Sequence, residues 1–292
     1  MIKVSSSVLS CILLSFSATA ESRSWPQWRG PDASGHTYDG EFPKKWGLSR
    51  NLVWKAPLPG RGHSSAVHHK GKVWITTAIE TPASEKEKEE RLKANEGLAS
   101  VTVLSEVSLR ALRIDPKNGK ILNNIEVIQK KQPQWVHHLN SYASPTPVIE
   151  DDRLYLHFGA YGNACIDSDS GKIIWRNSQK ELWVMHENGP GSSPVIWENL
   201  MIFHLDGSDK QSIVALFKDT GKIAWQTNRS GELRENPQLQ KSYSTPIIAN
   251  FNGQPILISC SADWVYGYNP RNGEELWKIN YGVLGFSNVA RP

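Results

Sequence analysis

Hydrophobic residues recur along most of the chain in short runs bounded by polar and turn-forming residues. Three clear examples are residues 153–158, 200–203 and 255–259. Short runs rich in Leu, Ile and aromatic residues are typical of β-strands, and these lack the 3.6-residue apolar period of a helix. The pattern therefore predicts an all-β protein.

A turn motif separates these runs four times at nearly constant spacing. Its copies end at Gly119, Gly171, Gly221 and Gly273, which are 52, 50 and 52 residues apart. Asp, Asn or Pro favours a tight turn and Gly supplies the positive φ that closes a hairpin, so each copy joins two antiparallel strands. A second marker, of the type Ser-Thr-Pro-Ile, opens the first strand of each repeat at residues 64–67, 145–148, 192–195 and 244–247.

Each repeat thus holds about four short strands in about 50 residues, which is typical of a propeller blade. Small sheets of this kind are stabilised by stacking on their neighbours. We therefore predict a β-propeller of four-stranded antiparallel blades, with about four complete blades. They lie near residues 51–130, 141–180, 186–230 and 241–282.

A tryptophan follows three of the four turn glycines by four residues. These are Trp175, Trp225 and Trp277, while Asn123 takes the place in the first repeat. A ring at the start of the outermost strand can cover the junction with the next blade and bury on the order of 200 Å². We predict that all three are buried between blades in equivalent places.

The two ends of the repeat region predict an open or truncated propeller. Arg291 and Pro292 fall where Thr245 and Pro246 lie one repeat earlier, so residues 283–292 read as the start of another blade. Residues 51–55, around Trp54, resemble an outermost strand without the rest of its blade. We expect an open arc with an exposed blade face, from a gene fragment or a truncated product prone to association.

The first 20 residues have the features of a secretory signal peptide. Lys3 gives a positive start, residues 8–16 are mainly apolar, and Ala18-Thr19-Ala20 forms a small-residue cleavage site. The apolar stretch is shorter than the roughly 20 residues that span a bilayer, and no other segment is long enough. We expect a periplasmic or secreted protein that begins near Glu21, with an extended segment at residues 21–50 before the propeller.

The net charge indicates which kinds of partner the protein can bind, and the number of cysteines indicates whether disulfides can stabilise it. The net charge is only +4 and charged residues make up 21% of the chain, so we expect no nucleic acid partner. Cys165 and Cys260 are the only cysteines after the signal and lie about two repeats apart. We therefore expect packing, not disulfides, to stabilise the fold.

One segment interrupts the first blade between Thr76 and Ser108. Ser84 and Glu87 match a capping box ahead of a charged run that ends at Lys93. We predict a short exposed helix here. It is either a solvated surface insertion or a lid that docks a partner.

The turn-plus-Trp repeat resembles the pyrroloquinoline-quinone-like, or quinoprotein dehydrogenase-like, propeller repeat family over roughly residues 51–292. Residues 25–31, Trp-Pro-Gln-Trp-Arg-Gly-Pro, followed by Gly35, and residues 138–148, His-Leu-Asn-Ser-Tyr-Ala-Ser-Pro-Thr-Pro-Val, resemble its secreted bacterial members. The resemblance implies relatives that close with seven or eight blades. It implies little chemistry, because one fold hosts many functions.

The resemblance also describes what a quinoprotein dehydrogenase needs: adjacent cysteines in a disulfide ring, a tryptophan, and a calcium ion beside a catalytic Asp. The chain has no adjacent cysteines, so no catalytic residue is assigned. We expect no cofactor and no metal site. Whether the protein is an enzyme stays open, with a non-catalytic protein expected; the alternative is a pyrroloquinoline-quinone-dependent oxidoreductase with an atypical site and calcium.

Polar residues precede the first strand of each repeat, where equivalent loops of a propeller converge near the axis. We predict a mouth that binds a small anionic or polyhydroxylated ligand, with His63, His138 and His186 pointing into it. The alternative is that these side chains hydrogen-bond backbone ends between blades. The candidates are Arg61, His63, His138, Asn140, His186, Asn188, Lys241 and Tyr243. The expected function is a cell-envelope protein that binds such a ligand or scaffolds other envelope proteins.

Overall fold

The computed structural model describes residues 24–37, 42–93, 100–282 and 285–292. The predicted signal peptide and its cleavage site therefore lie outside the described residues. Within the described ranges the secondary structure is almost entirely β, which confirms the predicted fold class. No helix in these ranges has the length and apolar character needed to cross a bilayer.

Each repeat folds into one antiparallel four-stranded sheet, here called a blade and numbered in chain order. Blade 1 contains β1 (Val67–His69), β2 (Lys72–Pro82), β4 (Leu104–Ile114) and β5 (Ile121–Lys131), beside a ribbon of β3 (Val101–Thr102) and β6 (Val136–His137). Blade 2 contains β7 (Val148–Glu150), β8 (Arg153–His157), β9 (Asn163–Asp167) and β10 (Ile173–Asn177). Blade 3 contains β11 (Val195–Trp197), β12 (Leu200–Asp206), β13 (Gln211–Phe217) and β14 (Ile223–Asn228). Blade 4 contains β15 (Ile247–Phe251), β16 (Gln254–Cys260), β17 (Trp264–Tyr268) and β18 (Glu275–Asn280).

The predicted turns join the third and fourth strands of every blade in the same geometry. In blade 3, for example, Gly221 N donates to Phe217 O at 2.8 Å, with a φ of 69° at Gly221. Three residues after each glycine the pairing register shifts by one, at Leu122, Ile174, Ala224 and Leu276. A bulge of this kind increases the local twist and redirects the next side chain, which is the tryptophan in three blades.

The blades stack in chain order through three hydrophobic clusters. Along each strand, successive side chains face opposite neighbours: Tyr155 packs toward blade 3, whereas Leu154 and Leu156 pack toward blade 1. In the described ranges no cluster joins blade 4 to blade 1 and no sheet closes on itself. The described blades therefore form an open propeller.

The repeat tryptophans occupy equivalent places in two of the three predicted cases. Trp175 packs on Gly221 and donates from Nε1 to Lys218 O at 2.8 Å. Trp225 packs in the same way on Gly273 of blade 4, although it is only partly buried and not buried as predicted. The prediction was wrong for Trp277, whose ring lies on Gly267 of its own blade and stays partly exposed, because no described blade follows.

Trp54 takes the equivalent place at the other end of the stack. Its ring lies against Gly119 and its Nε1 donates to Pro116 O at 2.8 Å. Residues around it form no strand, unlike the outermost strand they resemble in sequence. The segment before blade 1 is therefore fixed to blade 1 by the same contact that joins successive blades.

The predicted helix in blade 1 is present as α1 (Glu85–Leu92). The side chain of Ser84 accepts a hydrogen bond from Glu87 N at 3.2 Å, as the capping box predicts. None of the helical residues is buried, and Arg91 ties the helix to the blade by donating to Leu104 O at 2.7 Å. Short 3₁₀ turns at Gly159–Tyr161, Lys180–Leu182 and Pro237–Leu239 complete the helical structure of the described ranges.

Candidate functional site: the axial pocket and the outer surface

The loops that lead into the first strand of each blade meet at the inner edge of the stack. Ser65 N donates to Thr146 Oγ1 at 2.9 Å, Thr146 N to Ser193 Oγ at 3.0 Å, and Ser193 N to Thr245 Oγ1 at 3.0 Å. In each case the Ser or Thr hydroxyl of one marker accepts a hydrogen bond from a backbone N–H in the marker of the preceding blade. This ladder explains why Ser or Thr recurs there.

A cavity of about 210 Å³ lies against this ladder, with Trp28, His63 and Tyr243 in its walls. Trp28 comes from the segment before the propeller. That segment pairs with β1 through mutual hydrogen bonds between Trp25 and His68, and Pro26 O accepts from Ile149 N at 2.8 Å. The motif at residues 25–31 therefore passes along the inner strands of blades 1 and 2.

The predicted ligand residues form contacts between neighbouring blades. Arg61 donates to His138 O, and His138 Nδ1 lies 3.0 Å from Ser100 O. Asn140 Nδ2 donates to Asn188 O at 2.6 Å. In these contacts the side chains hydrogen-bond backbone groups of a neighbouring loop or blade, which is the alternative to ligand binding that the sequence left open.

The remaining candidates differ in exposure. Lys241 is buried, with Nζ 3.0 Å from Glu187 Oε2. His186 is also buried and lies beside Tyr243, with 6.4 Å between the ring centroids. Of the three histidines expected in one mouth, only His63 lines the axial cavity, because His186 is enclosed and His138 lies with Ser100. Ligand binding by the set stays a prediction.

A buried polar cluster connects blades 3 and 4. Arg229 holds Asp206 through two hydrogen bonds of 3.1 Å and donates to Ser259 Oγ at 2.8 Å. Its guanidinium lies 5.0 Å from the ring centroid of Tyr266. Asp206, the last residue of β12, and Arg229, which follows β14, thus form a buried ion pair within blade 3, and Arg229 links this pair to blade 4.

Three buried histidines are neutral at physiological pH because burial disfavours their charged form. Desolvation lowers the pKa of His157 and of His204 to about 4, and that of His186 to about 3. Asp206 Oδ2 lies 3.7 Å from His204 Nδ1, but Arg229 already neutralises this carboxylate. The described residues contain no group of three potential metal-ligating side chains close enough to share an ion.

The two cysteines are separate free thiols. Burial raises the pKa of Cys165 to about 12 and also raises the pKa of Cys260. Both side chains lie in strands of different blades, so they form no disulfide ring. Their positions fit the role of small core residues.

The outer surface carries one conspicuous stretch, residues 44–58, here called the basic–apolar segment. Its apolar side chains are unusually exposed: Trp46 by 67%, Leu48 by 84% and Val53 by 86%. It also contains Lys44, Lys45, Arg50 and Lys55 and no acidic residue. None of these four cations forms an ion pair with another described residue, so their charge faces solvent.

Neither this exposed segment nor the part that residues 25–31 play in the axial cavity was predicted from the sequence. A run of four cations without an acid was visible in the sequence, as was a tryptophan, Trp28, outside the repeat position. Neither signal predicts exposure or location by itself. Both depend on how residues 24–66 pack against the blades.

Comparisons with known proteins agree with the fold. A sequence profile of the family described as "Outer membrane protein assembly factor BamB" matches residues 112–283. The protein of that name from Escherichia coli (strain K12) is 29% identical over 148 residues, which cover 48% of this chain and 37% of the relative. The same figures hold for the relative from Shigella dysenteriae serotype 1 (strain Sd197). The chain thus spans little more than a third of the length of these curated relatives.

Among solved structures, the quinohemoprotein alcohol dehydrogenase from Comamonas testosteroni superposes with a TM-score of 0.51 and 14% sequence identity. The superposition covers 90% of this chain and 50% of that enzyme. At this identity the likeness shows the fold alone. The profile match spans more than half of the chain, so the chain belongs to the family of pyrroloquinoline-quinone-like repeats described as outer membrane protein assembly factor BamB.

Proposed function

We propose that this protein is an exported, non-catalytic propeller scaffold of the cell envelope that binds an acidic protein partner. The observation that carries the proposal is the basic–apolar segment, which combines exposed Trp, Leu and Val side chains with four exposed cations that form no ion pair with another described residue. Exposed apolar groups rimmed by charge mark interaction surfaces. The cations steer and select a partner of opposite charge.

The segment is held in place, which lowers the entropic cost of binding. Trp54 fixes its end to Gly119, and a turn between Gly47 and Arg50 is closed by two hydrogen bonds of 3.0 Å. Asn51 Nδ2 also donates to Lys45 O at 2.9 Å. The exposed side chains therefore project from an ordered backbone.

A protein partner fits this surface better than a membrane. Basic and apolar segments that lie on membranes are usually amphipathic helices, whereas residues 44–58 form no helix. The name of the relatives, an assembly factor of the outer membrane, supports a role among envelope proteins. The signal peptide predicted at residues 1–20 supports export to the periplasm or beyond.

Charge reversal tests the proposal. The test variant is Lys44→Glu, Lys45→Glu, Arg50→Glu, Lys55→Glu. The matched control reverses four exposed turn lysines of blades 1 to 3, Lys117→Glu, Lys120→Glu, Lys172→Glu and Lys222→Glu. Both variants change the net charge equally. The complex formed in envelope extracts is quantified by chemical cross-linking and mass spectrometry.

We expect the wild type and the control to yield the same cross-linked partner, rich in Asp and Glu at the linked site, and the test variant to lose it. Equal yields from both variants would contradict the proposal. A co-sedimentation assay with phosphatidylglycerol vesicles tests whether the segment binds a membrane instead of a protein. Binding to these vesicles that only the test variant loses would assign the segment to a membrane instead.

We also propose that the protein carries out no quinone chemistry, because its sequence has no pair of adjacent cysteines that could form the disulfide ring of a quinoprotein dehydrogenase. Pyrroloquinoline quinone and calcium are added to the purified chain, and bound-quinone absorbance and dye reduction are followed. We expect neither signal. A clear signal of both kinds would favour the oxidoreductase alternative.

A further inference from the structure

Two arginines lie near the ring of Trp28, which belongs to the segment that reaches the propeller axis. Their Cζ atoms lie 5.8 Å (Arg29) and 5.7 Å (Arg291) from the ring centroid. Arg29 is positioned by the turn that follows it, since it donates to Ala33 O at 3.3 Å and to Ser34 O at 2.6 Å. Both guanidiniums thus gather at one indole by cation–π contact.

Arg291 is held by two backbone carbonyls. It donates to Trp28 O at 3.3 Å and to Pro246 O at 3.1 Å, while its buried Nε has no hydrogen-bond partner among the described residues. Burial and the charge of Arg29 lower the pKa of Arg291 to about 10, so it stays charged at neutral pH. A buried donor without an acceptor is costly and points to a missing partner.

The two charges have no carboxylate counter-ion among the residues that the structure describes. Neither arginine forms an ion pair with a carboxylate in the described ranges; only backbone carbonyls accept their hydrogen bonds. Arg271 shows the usual arrangement in the same molecule: it lies 4.9 Å from the ring centroid of Trp197, and Glu198 neutralises it through bonds of 2.7 and 2.8 Å. The Trp28 cluster therefore differs by its unbalanced positive charge.

A cavity of about 530 Å³ opens at this cluster, lined by Trp28, Arg29, Ser34, Val289 and Arg291. We propose that it binds a small anion, whose carboxylate or phosphate group lies between Arg29 and Arg291 while its body packs on the Trp28 ring. Planar guanidiniums match the oxygens of both groups through paired charge-assisted hydrogen bonds. The volume is that of a small-molecule site.

Titration calorimetry on the full chain tests the site with citrate and with inorganic phosphate as separate probes, and with sorbitol as the neutral control. We expect one of the two anions, and not sorbitol, to bind and raise the melting temperature. Tighter binding of citrate assigns the site to carboxylates, and tighter binding of phosphate assigns it to phosphates. Arg29→Gln and Arg291→Gln should each weaken binding by about tenfold or more, while Arg271→Gln leaves it unchanged.

Arg29→Gln decides the case if Arg291→Gln perturbs folding, because the bonds of Arg29 are local to its own turn. Unchanged binding in Arg29→Gln, an equal response to sorbitol, or no binding of either anion overturns the proposal. The charge-reversed basic–apolar variant is measured in parallel and should keep anion binding. Loss in that variant would show that the anions respond to general basic charge instead of this cavity.

Discussion

The indole of Trp175 lies so close to Gly221 of the next blade that a Cβ on Gly221 would collide with it. The contact joins two recurring positions of the repeat: the tryptophan four residues after one turn glycine, and the turn glycine of the next blade. It is completed by a hydrogen bond from Trp175 Nε1 to Lys218 O. Stacking of these blades thus depends on an indole ring from one blade and on a glycine of the next blade, whose missing side chain leaves room for the ring.

Trp175→Ala should lower the free energy of unfolding by about 3 to 5 kcal/mol, the cost of removing a buried aromatic side chain. Trp277→Ala is the matched control, since its ring lies on Gly267 of its own blade, no described blade follows it, and it is partly exposed. We expect a loss of about 1 to 2 kcal/mol there. Urea denaturation followed by circular dichroism measures both; equal losses would refute the inter-blade role.

Asp206→Ala should also destabilise the protein strongly, because it leaves the Arg229 charge buried without a partner. The expected cost is about 3 to 5 kcal/mol. Glu198→Gln breaks the exposed pair with Arg271 and should cost less than about 1 kcal/mol. Thermal unfolding of the two variants compares them, and similar small shifts would show that the Arg229 pair is not needed for stability.

Stability should fall as the pH drops from 6.5 toward 4. The folded-state pKa values of His157 and His204 are about 4 and that of His186 about 3, whereas the ordinary value is 6.5. Protons therefore bind the unfolded chain first, and the contribution that is complete above pH 6.5 is lost on acidification. The loss is about 2 kcal/mol for each histidine between about pH 7.5 and about pH 5.

Urea denaturation across this pH range measures the slope. His157→Gln removes one of the titrating groups, so its stability should depend less steeply on pH than that of the wild type. A wild-type stability that is flat from pH 7.5 to 5 would contradict the neutral buried state of these histidines.

The repeat made much of the fold predictable. Gly221 and Gly273 fix hairpin turns by their backbone requirement, and local constraints of this kind are visible in one sequence. The Ser84 cap predicted its helix for the same reason. Trp277 was mispredicted because burial depends on the following blade, which is a non-local contact that a spacing rule cannot contain.

The candidate site was harder to predict because its contacts are long-range. His63 and His186 both lie in a loop that leads into the first strand of a blade, yet His186 is enclosed and His63 is exposed. The axial cavity brings Trp28 together with Tyr243 and Val289, more than 200 residues later in the chain. Spacing within repeats predicts neither relationship, since residues 24–31 lie outside the repeats.

The proposed scaffold function is tested most directly by photo-cross-linking in cells. A photoreactive phenylalanine analogue is placed at Trp46 and, as the control, at Phe251, because both side chains are 67% exposed. We expect a discrete adduct with one envelope protein at position 46. This adduct should be absent at position 251 and should be lost when Lys44, Lys45, Arg50 and Lys55 are changed to Glu. No adduct at position 46, or the same adducts at both positions, would contradict the proposed scaffold function.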